Sequence, residues 1–432
     1  QAWSSAHNNN RHMAPTLLLP PHQHSYSTTT SQTTATVFKP LLKRTLESVG
    51  PSVLPKLVSF DKVINDSDLQ IDKKALEFSD QLRSLINDHS TKHNITTPIN
   101  PESFIKDELA NIQKGILESI NVSHPVLQQA ASYFFQKSGK KFRPMIVLLL
   151  SKAVTEHSRQ LEEDFEGSQQ DAATQSTPTT LDINLIKKHH QKLAEITEII
   201  HVASLIHDDI VDQSDMRRGV ESLHKKMGSK VAVLAGDFLL ARASINLSKM
   251  GNLPVIEAIS TAIEHLAHGE ILQMAKKGRD DIFDAYMQTI FFKTSSLISN
   301  SCKSAALLTH ADQRIVEASY QFGKHIGIAY QLIDDVLDFT ESGTLLGKPS
   351  LGADLRLGIA TSPVLFASLE YPELEPMIRR KFSRNGDVDR AWELVLHTNS
   401  IEKSRDLAIT HCKKAVESLM ILQDSPYRTA LI

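Results

Sequence analysis

Apolar residues recur at helical intervals from residue 100 to the end of the chain. In "NPESFIKDELANIQKGILESI", Ile105, Leu109, Ile112, Ile116 and Ile120 fall on one face at spacings of three and four. Asn100 is placed to cap that helix and Pro101 to open it, because a proline in the first turn sacrifices no helical hydrogen bond. Pro125 opens a second helix carrying Leu127, Ala131 and Phe134, and "FRPMIVLLLSKAV" has the look of a more fully buried one. Residues 155–184 break the pattern, first acidic and then rich in Ser, Thr and Gln, and are expected to form a flexible surface insertion. Long helical segments are expected at about 185–209, 230–250, 254–277, 282–309 and 312–340, with shorter ones to the end. The pattern predicts one all-α domain of ten or more helices over residues 100–432, with no short-period repeat.

Composition agrees and narrows the rest. Only 17 of 432 residues are glycine, against a typical ~7%, and Asn-Gly and Asp-Gly hairpin signals are nearly absent. A net charge of −3 sets up no global field for nucleic acid. Cys302 and Cys412 make neither a disulfide framework nor a CxxC metal site, which points to a reducing compartment. The longest apolar run, "MIVLLL", is far too short to cross a membrane. Residues 1–46 contain no Asp or Glu but do contain Arg11, Lys39, Lys43, Arg44 and many Ser, Thr, His and Asn. That is the composition of an organelle transit peptide, a plain disordered tail being the alternative. Residues 47–99 read as a tether. The first residue is Gln1, so the true start is expected to lie upstream.

Two segments carry the chemistry. "SLIHDDIVDQSDMRRG" places Asp208, Asp209 and Asp212 at the end of an apolar helix, with Asp208 and Asp212 one turn apart on one face. Like charges at that spacing weaken a helix, and its C-terminal dipole favours cations instead. A divalent cation reverses that argument. Mg2+ is commonly held by one or two carboxylates together with substrate phosphates and water. "YQLIDDVLDFTE" repeats the arrangement with Asp334, Asp335 and Asp338. One DDxxD is compatible with a solvated helix face; two copies, each ending an apolar helix, suit a pair that grips a shared Mg-bound anion.

Basic residues surround both clusters. Arg217 and Arg218 follow the first, and Gly219 is expected to end the helix or its extension. Arginine matches phosphate oxygens in pairs. "GKKFRP" supplies Lys140, Lys141 and Arg143, "FFKTSS" supplies Lys293 and Thr294, and "LGKPSLGADLRLG" supplies Lys348 and Arg356. Each alone reads equally as a surface cation or a lysine reaching out from a helix.

At these residues the sequence resembles the trans-isoprenyl diphosphate synthases. The two DDxxD segments are similar to that family's first and second aspartate-rich motifs. "GKKFRP", "VLAGDFLLARA", "HGEILQ", "FFKTSSL" and "GADLRLGIATSPVLFA" follow in the family's order. The resemblance covers about residues 100–432, and "NPESFIKDELANI" and "HPVLQQAASYFF" look most like the long-chain, mitochondrial quinone-tail branch. It implies a single large helical bundle of the isoprenoid synthase type with a central apolar cavity. It implies Mg2+ and two substrates, isopentenyl diphosphate and an allylic diphosphate such as farnesyl or geranylgeranyl diphosphate. By motif position, Asp208 and Asp212 would ligate Mg2+ with Asp209 in support. Asp334 and Asp338 would complete the metal shell, with Asp335 nearby. Arg217, Lys293, Thr294, Gln331 and Lys348 would contact the allylic diphosphate. Lys140, Arg143, His201 and Arg218 would hold isopentenyl diphosphate. His201 lies two turns before Asp208 on the same face, although a single histidine there reads as well as a hydrogen-bonded core residue. His207 reads as structural.

Some positions depart from the pattern. Ser350 and Leu351 make the link after Lys348 one residue longer than "GKPxGxDL", which weakens the role of Lys348 and of the Arg356 region. The chain end "SPYRTALI" falls early for the family. The implied reaction is repeated head-to-tail trans condensation. Chain length would be set beneath the first aspartates, where Ala203 and Ser204 are both small. An open tunnel there implies hexaprenyl to decaprenyl products for a ubiquinone side chain, which an aromatic residue at Ala203 should shorten. The alternatives are a geranylgeranyl diphosphate synthase, a non-catalytic partner subunit and a terpene cyclase, though the second DDxxD followed by "GKP" argues against a cyclase. A homodimer or hetero-oligomer is expected, and peripheral membrane contact is left open.

Overall fold

In the computed structural model, the described residues are 100–136, 141–168, 183–217, 219–274, 282–340 and 352–432, with side chains 162–168 also left aside. The chain divides into units Gln1–Gly50 and Pro51–Ile432, and every described residue belongs to the second. The transit and tether expectations therefore lie outside the described residues.

The chain enters through a short 3-10 turn, Pro101–Phe104, where the Asn100 side chain accepts from the Glu102 N–H. Helix α1 (Lys106–Ser119) then buries Ile112 and Ile116, and Ile105 and Ile120 at its ends are fully covered. Helix α2 (Pro125–Ser132) follows, then α3 (Phe142–Ser168) and α4 (Ile183–Val211). A two-stranded ribbon, β1 (Met216–Arg217) and β2 (Val220–Glu221), leads to α5 (Leu223–Met227), α6 (Ser229–Lys249) and α7 (Leu253–Met274). Next come α8 (Ile282–Ile290), a π-helical turn (Phe291–Ser295), α9 (Ser296–Leu308) and α10 (Gln313–Leu337). Six shorter or peripheral helices close the chain: α11 (Ala353–Arg356), α12 (Ser362–Ser368), α13 (Leu374–Arg379), α14 (Asp387–Leu396), α15 (Ser400–Leu419) and α16 (Pro426–Leu431).

Helix α9 is the hub. It packs against α3, α4, α7 and α10, and α10 in turn packs against α15. Its sequence, SLISNSCKSAALL, explains how: small residues let four neighbours approach at once. Several of its buried polar groups are satisfied within the helix or by a neighbouring one. Ser299 Oγ and Asn300 Nδ2 donate to the Ser296 carbonyl, and Ser301 Oγ meets Thr197 Oγ1 of α4 at 2.8 Å.

Three expectations change. Residues 155–168 continue α3 rather than forming a loop. Their Glu, Gln and Arg are good helix formers, and Arg159 donates to Glu156 while His157 is buried; residues 169–182 lie outside the described residues. Gly219 does not end a helix. Helix α4 stops at Val211, and Met216 pairs with Glu221 and Arg217 with Val220 across a tight turn in which Gly219 has φ +74°, a left-handed conformation that glycine adopts without penalty. Finally, although no unbroken apolar run is long, α6 contains an 18-residue stretch apolar and long enough to cross a membrane, with mean hydropathy 1.4. Its Val, Leu, Ile and Ala residues raise the average, while Asp237, Arg242 and Asn246 interrupt it.

Candidate active site

The first aspartate cluster sits where α4 ends. The Asp212 N–H still reaches the Asp208 carbonyl at 2.8 Å, so the two side chains share a face across the last turn. Burial pushes the Asp208 carboxyl up to about 7; the Lys293 ammonium opposes the shift, and the Glu270 and Asp212 carboxylates add to it. Asp212 is raised for the same reasons, burial first. Lys293 forms an ion pair with Glu270 of α7 at 2.5 Å and donates to Gln273 Oε1 at 3.0 Å. One cation thus stands among three half-buried carboxylates, Asp208, Asp212 and Glu270, and neither Glu270 oxygen has a well-aligned hydrogen bond. That is an environment short of positive charge.

Asp209 behaves differently. It is buried, and Oδ1 accepts from Arg217 Nε at 2.8 Å and from Arg217 Nη2 at 2.5 Å. Burial raises its carboxyl, and the guanidinium works against that. A carboxylate this deep at a helix C-terminus needs its own counter-ion, and the ribbon delivers Arg217 to it. Two of the five guanidinium donors are engaged there, and Asp209 Oδ2 is buried without a hydrogen-bond partner.

The second cluster ends α10, and its three aspartates diverge. Asp335 is buried, accepting from Tyr286 Oη at 2.5 Å and from Gln331 Nε2 at 2.9 Å. Gln331 Oε1 accepts in turn from Thr294 Oγ1 at 2.7 Å. Asp338 is also buried, and it accepts the backbone N–H groups of Ala353 and Asp354 at 3.2 and 3.1 Å. It caps α11. Asp334, half-buried, is the member of this cluster left nearest the surface.

The π turn joins the two clusters. Such turns recur at functional sites because one extra residue re-aims the side chains. Here Lys293 faces the first cluster, and the next residue, Thr294, is tied to the second through Gln331 and Asp335. Gly269 makes room for the turn: a Cβ there would come 2.7 Å from Lys293 Cγ.

A third group lies where α3 begins. Arg143 Nη1 and His201 Nε2 are 3.0 Å apart. Arginine can only donate, so Nε2 accepts and the His201 ring is neutral. Phe142 stacks on Tyr330, centroids 4.8 Å apart, and the Arg143 guanidinium lies 6.0 Å from the same ring. Ala203 is fully buried in the core, whereas Ser204, one turn before Asp208, is half-buried, with its hydroxyl on the His201 carbonyl. His207 is structural, as expected, reaching the Val233 carbonyl at 3.2 Å. Lys140, Arg218 and Lys348 lie outside the described residues.

Sequence reasoning missed Glu270, Gln273, Tyr286 and Tyr330. The first two carried a signal, an acid and an amide three residues apart in the apolar "HGEILQM". Tyr286 carried none, since an aromatic residue at a helical position reads as core.

Among the described residues no three His, Cys, Asp or Glu side chains are gathered closely enough to hold an ion by themselves. The donor set nevertheless fits Mg2+, which takes few carboxylates and completes its shell with phosphate and water. Hard oxygen donors short of cation, flanked by Lys293, Arg217 and Arg143, define an all-α enzyme that handles phosphorylated substrates. The comparisons agree. The polyprenyl synthetase family profile matches residues 124–395. A decaprenyl-diphosphate synthase of Dictyostelium discoideum is 42% identical over 344 residues, covering 77% of this chain and 68% of that protein. A mitochondrial solanesyl-diphosphate synthase of Oryza sativa is 40% identical over 328 residues, covering 75% and 73%. A polyprenyl synthase of Caulobacter crescentus, crystallised with calcium and isoprenyl diphosphate, superposes with a TM-score of 0.65 at 28% identity, covering 77% of this chain and 94% of that one. The chain belongs to the polyprenyl synthetase family and is a trans-prenyltransferase.

Proposed function

We propose that this enzyme extends an allylic diphosphate by repeated trans condensation with isopentenyl diphosphate, giving a long-chain polyprenyl diphosphate for a quinone side chain in mitochondria. The observation that carries the reading is the π turn, which ties Lys293 to the first aspartate cluster and Thr294 to the second. The product class and compartment follow the long-chain and mitochondrial relatives. Asp208, Asp212 and Asp334 would hold Mg2+, which supplies Lewis-acid stabilisation of the diphosphate leaving group. Lys293, Thr294 and the remaining donors of Arg217 bind that diphosphate and stabilise the charge that grows as the C–O bond breaks. Arg143, held by His201 and Tyr330, binds the diphosphate of isopentenyl diphosphate and sets its double bond toward the allylic carbon. The apolar flanks of α4, α7 and α9 exclude water from the cation. The released diphosphate accepts the proton lost afterwards, so the site needs no separate base.

The growing tail passes Ser204. Incubation with Mg2+, farnesyl diphosphate and labelled isopentenyl diphosphate should give a ladder reaching six to ten isoprene units. Ser204→Phe should shorten it toward four or five. It is a cleaner probe than Ala203→Phe, because overpacking a fully buried alanine costs about 1–3 kcal/mol. A wild-type ladder stopping at twenty carbons would make this a short-chain synthase, and no growth at all would make it a partner subunit.

A further inference from the structure

At the end of the bundle opposite the aspartates lies a polar cavity of about 250 Å3, lined by Glu118, Ser119, Lys192, Arg242, Asn246 and Lys249. It sits between the last turn of α1, the first half of α4 and the last turns of α6. Lys192 precedes Asp208 by sixteen residues on α4, about 24 Å at 1.5 Å per residue. The cavity is therefore separate from the candidate active site.

Two of its donor atoms lack acceptors. Arg242 Nε and Asn246 Nδ2, one turn apart on α6, are buried and have no hydrogen-bond partner. Buried donors in that condition are rare and call for an explanation. Arg242 gives one hydrogen bond, from Nη2 to the Asn121 carbonyl at 2.6 Å, and has no carboxylate partner among the described residues. Lys192 donates to Ser119 Oγ at 3.1 Å and to Glu195 Oε2 at 2.5 Å, so the buried Glu195 is already neutralised. Glu118, the remaining carboxylate of the lining, has a side chain 69% exposed and lies 4.0 Å from Lys114. The balance is positive, with Arg242 and Lys249 outweighing Glu118.

We propose that this cavity is a second anion site, built for a phosphate-bearing group. A tetrahedral anion offers several acceptor oxygens to converging donors from Arg242, Asn246, Lys192 and Lys249, which a single-acceptor anion cannot do. Each liquid water takes about 30 Å3, so the cavity admits free phosphate or diphosphate. The enzyme releases diphosphate at every turnover, so a free source is always present. An anionic phospholipid headgroup is the other source of the same chemistry. An anion here would tie α1 and α6 to α4, the helix that ends in the first aspartate cluster.

Hydrogen-exchange mass spectrometry of the full chain, with inorganic diphosphate and no divalent metal, tests the site. Diphosphate should slow exchange in residues 115–122 and 240–249. The Asn246→Asp/Lys249→Glu double variant should lose that protection and bind diphosphate at this site on the order of tenfold more weakly. Its chain elongation should be unchanged, and a thermal melt checks that it folds. Sedimentation with phosphatidylserine vesicles, against phosphatidylcholine vesicles, separates the sources. Binding of the wild type but not the variant, without protection by free diphosphate, assigns the site to a headgroup. Equal protection in wild type and variant, or no protection together with equal vesicle binding, overturns the proposal.

Discussion

Tyr286 and Asp335 show how a single buried hydrogen bond governs a site several residues away. Burial and the neighbouring Asp335 carboxylate hold the Tyr286 hydroxyl well above the usual tyrosine range, so it donates at every working pH. Asp335 is then fixed between Tyr286 and Gln331, and that fixes which way the Gln331 amide points and where Thr294 is held. Tyr286 is buried against Asp335, a place from which it would act by positioning. Tyr286→Phe removes a hydrogen bond to a buried carboxylate, a loss of about 1.5–3 kcal/mol for a hydrogen bond to a charged group. We expect kcat to fall on the order of tenfold or more while KM for isopentenyl diphosphate, whose proposed site is at Arg143 and His201, stays within about twofold. Steady-state kinetics on both substrates check this, and equal loss in both parameters would remove Tyr286 from the positioning chain.

At the scale of elements, the long helices were legible and their special turns were not. The expected segment 185–209 became Ile183–Val211, and 312–340 became Gln313–Leu337, because amphipathic period and length leave few choices. The π turn was invisible, since one inserted residue barely disturbs a 3.6-residue period. The ribbon at Met216–Glu221 is too short to alternate, and the polar end of α3 has no apolar stripe to read. For the same reason the aspartates could be found but not sorted: Asp209, Asp335 and Asp338 are taken up by tertiary partners. Another tertiary contact carries a pH prediction. His325 of α10 and His411 of α15 meet Nδ1 to Nδ1 at 2.9 Å. Burial pushes His325 down to about 4 and His411 to about 3, and Lys324 and Lys414 add to both shifts. These histidines are neutral when folded and take up protons on unfolding. Their contribution is complete above the unfolded value near 6.5 and is lost as pH falls toward 4 and then 3. Thermal midpoints should therefore drop between pH 6.5 and 4, and His411→Asn should flatten that slope while lowering the midpoint at pH 7.5 by a few degrees. Melts across that range check it, and an unchanged slope would assign the acid sensitivity to other groups.

At the scale of the molecule, the three most exposed large hydrophobic residues among those described lie on α6 and α7. Leu234, Asp237, Ala241, Ile245 and Ser248 of α6 are all exposed, at spacings of three and four. Leu253, Glu257, Ser260, Glu264, Ala267, Ile271 and Met274 of α7 repeat the spacing. Leu234 is 62% exposed, Leu253 76% and Ile271 64%. This is the stripe by which helices pack on helices, and the inner faces of both are already buried on the core. Asp237, Glu257 and Glu264 lie within the stripe and disfavour burial in lipid, which points to a protein partner. A second copy is the simplest one, because a two-fold axis lets one patch cover itself. Such an interface would support α7, whose Glu270 and Gln273 hold Lys293 from the inner side. The wild type should therefore sediment at twice the 48.1 kDa chain mass. The double variant Leu234→Glu/Ile271→Glu, with two charges placed in each half of the patch, should sediment as single chains. Because the loss of support reaches Lys293 through α7, its kcat should fall by more than its KM rises. A wild type that sediments at one chain mass would assign the stripe to a different partner protein, and a dimeric double variant would place the self-contact elsewhere.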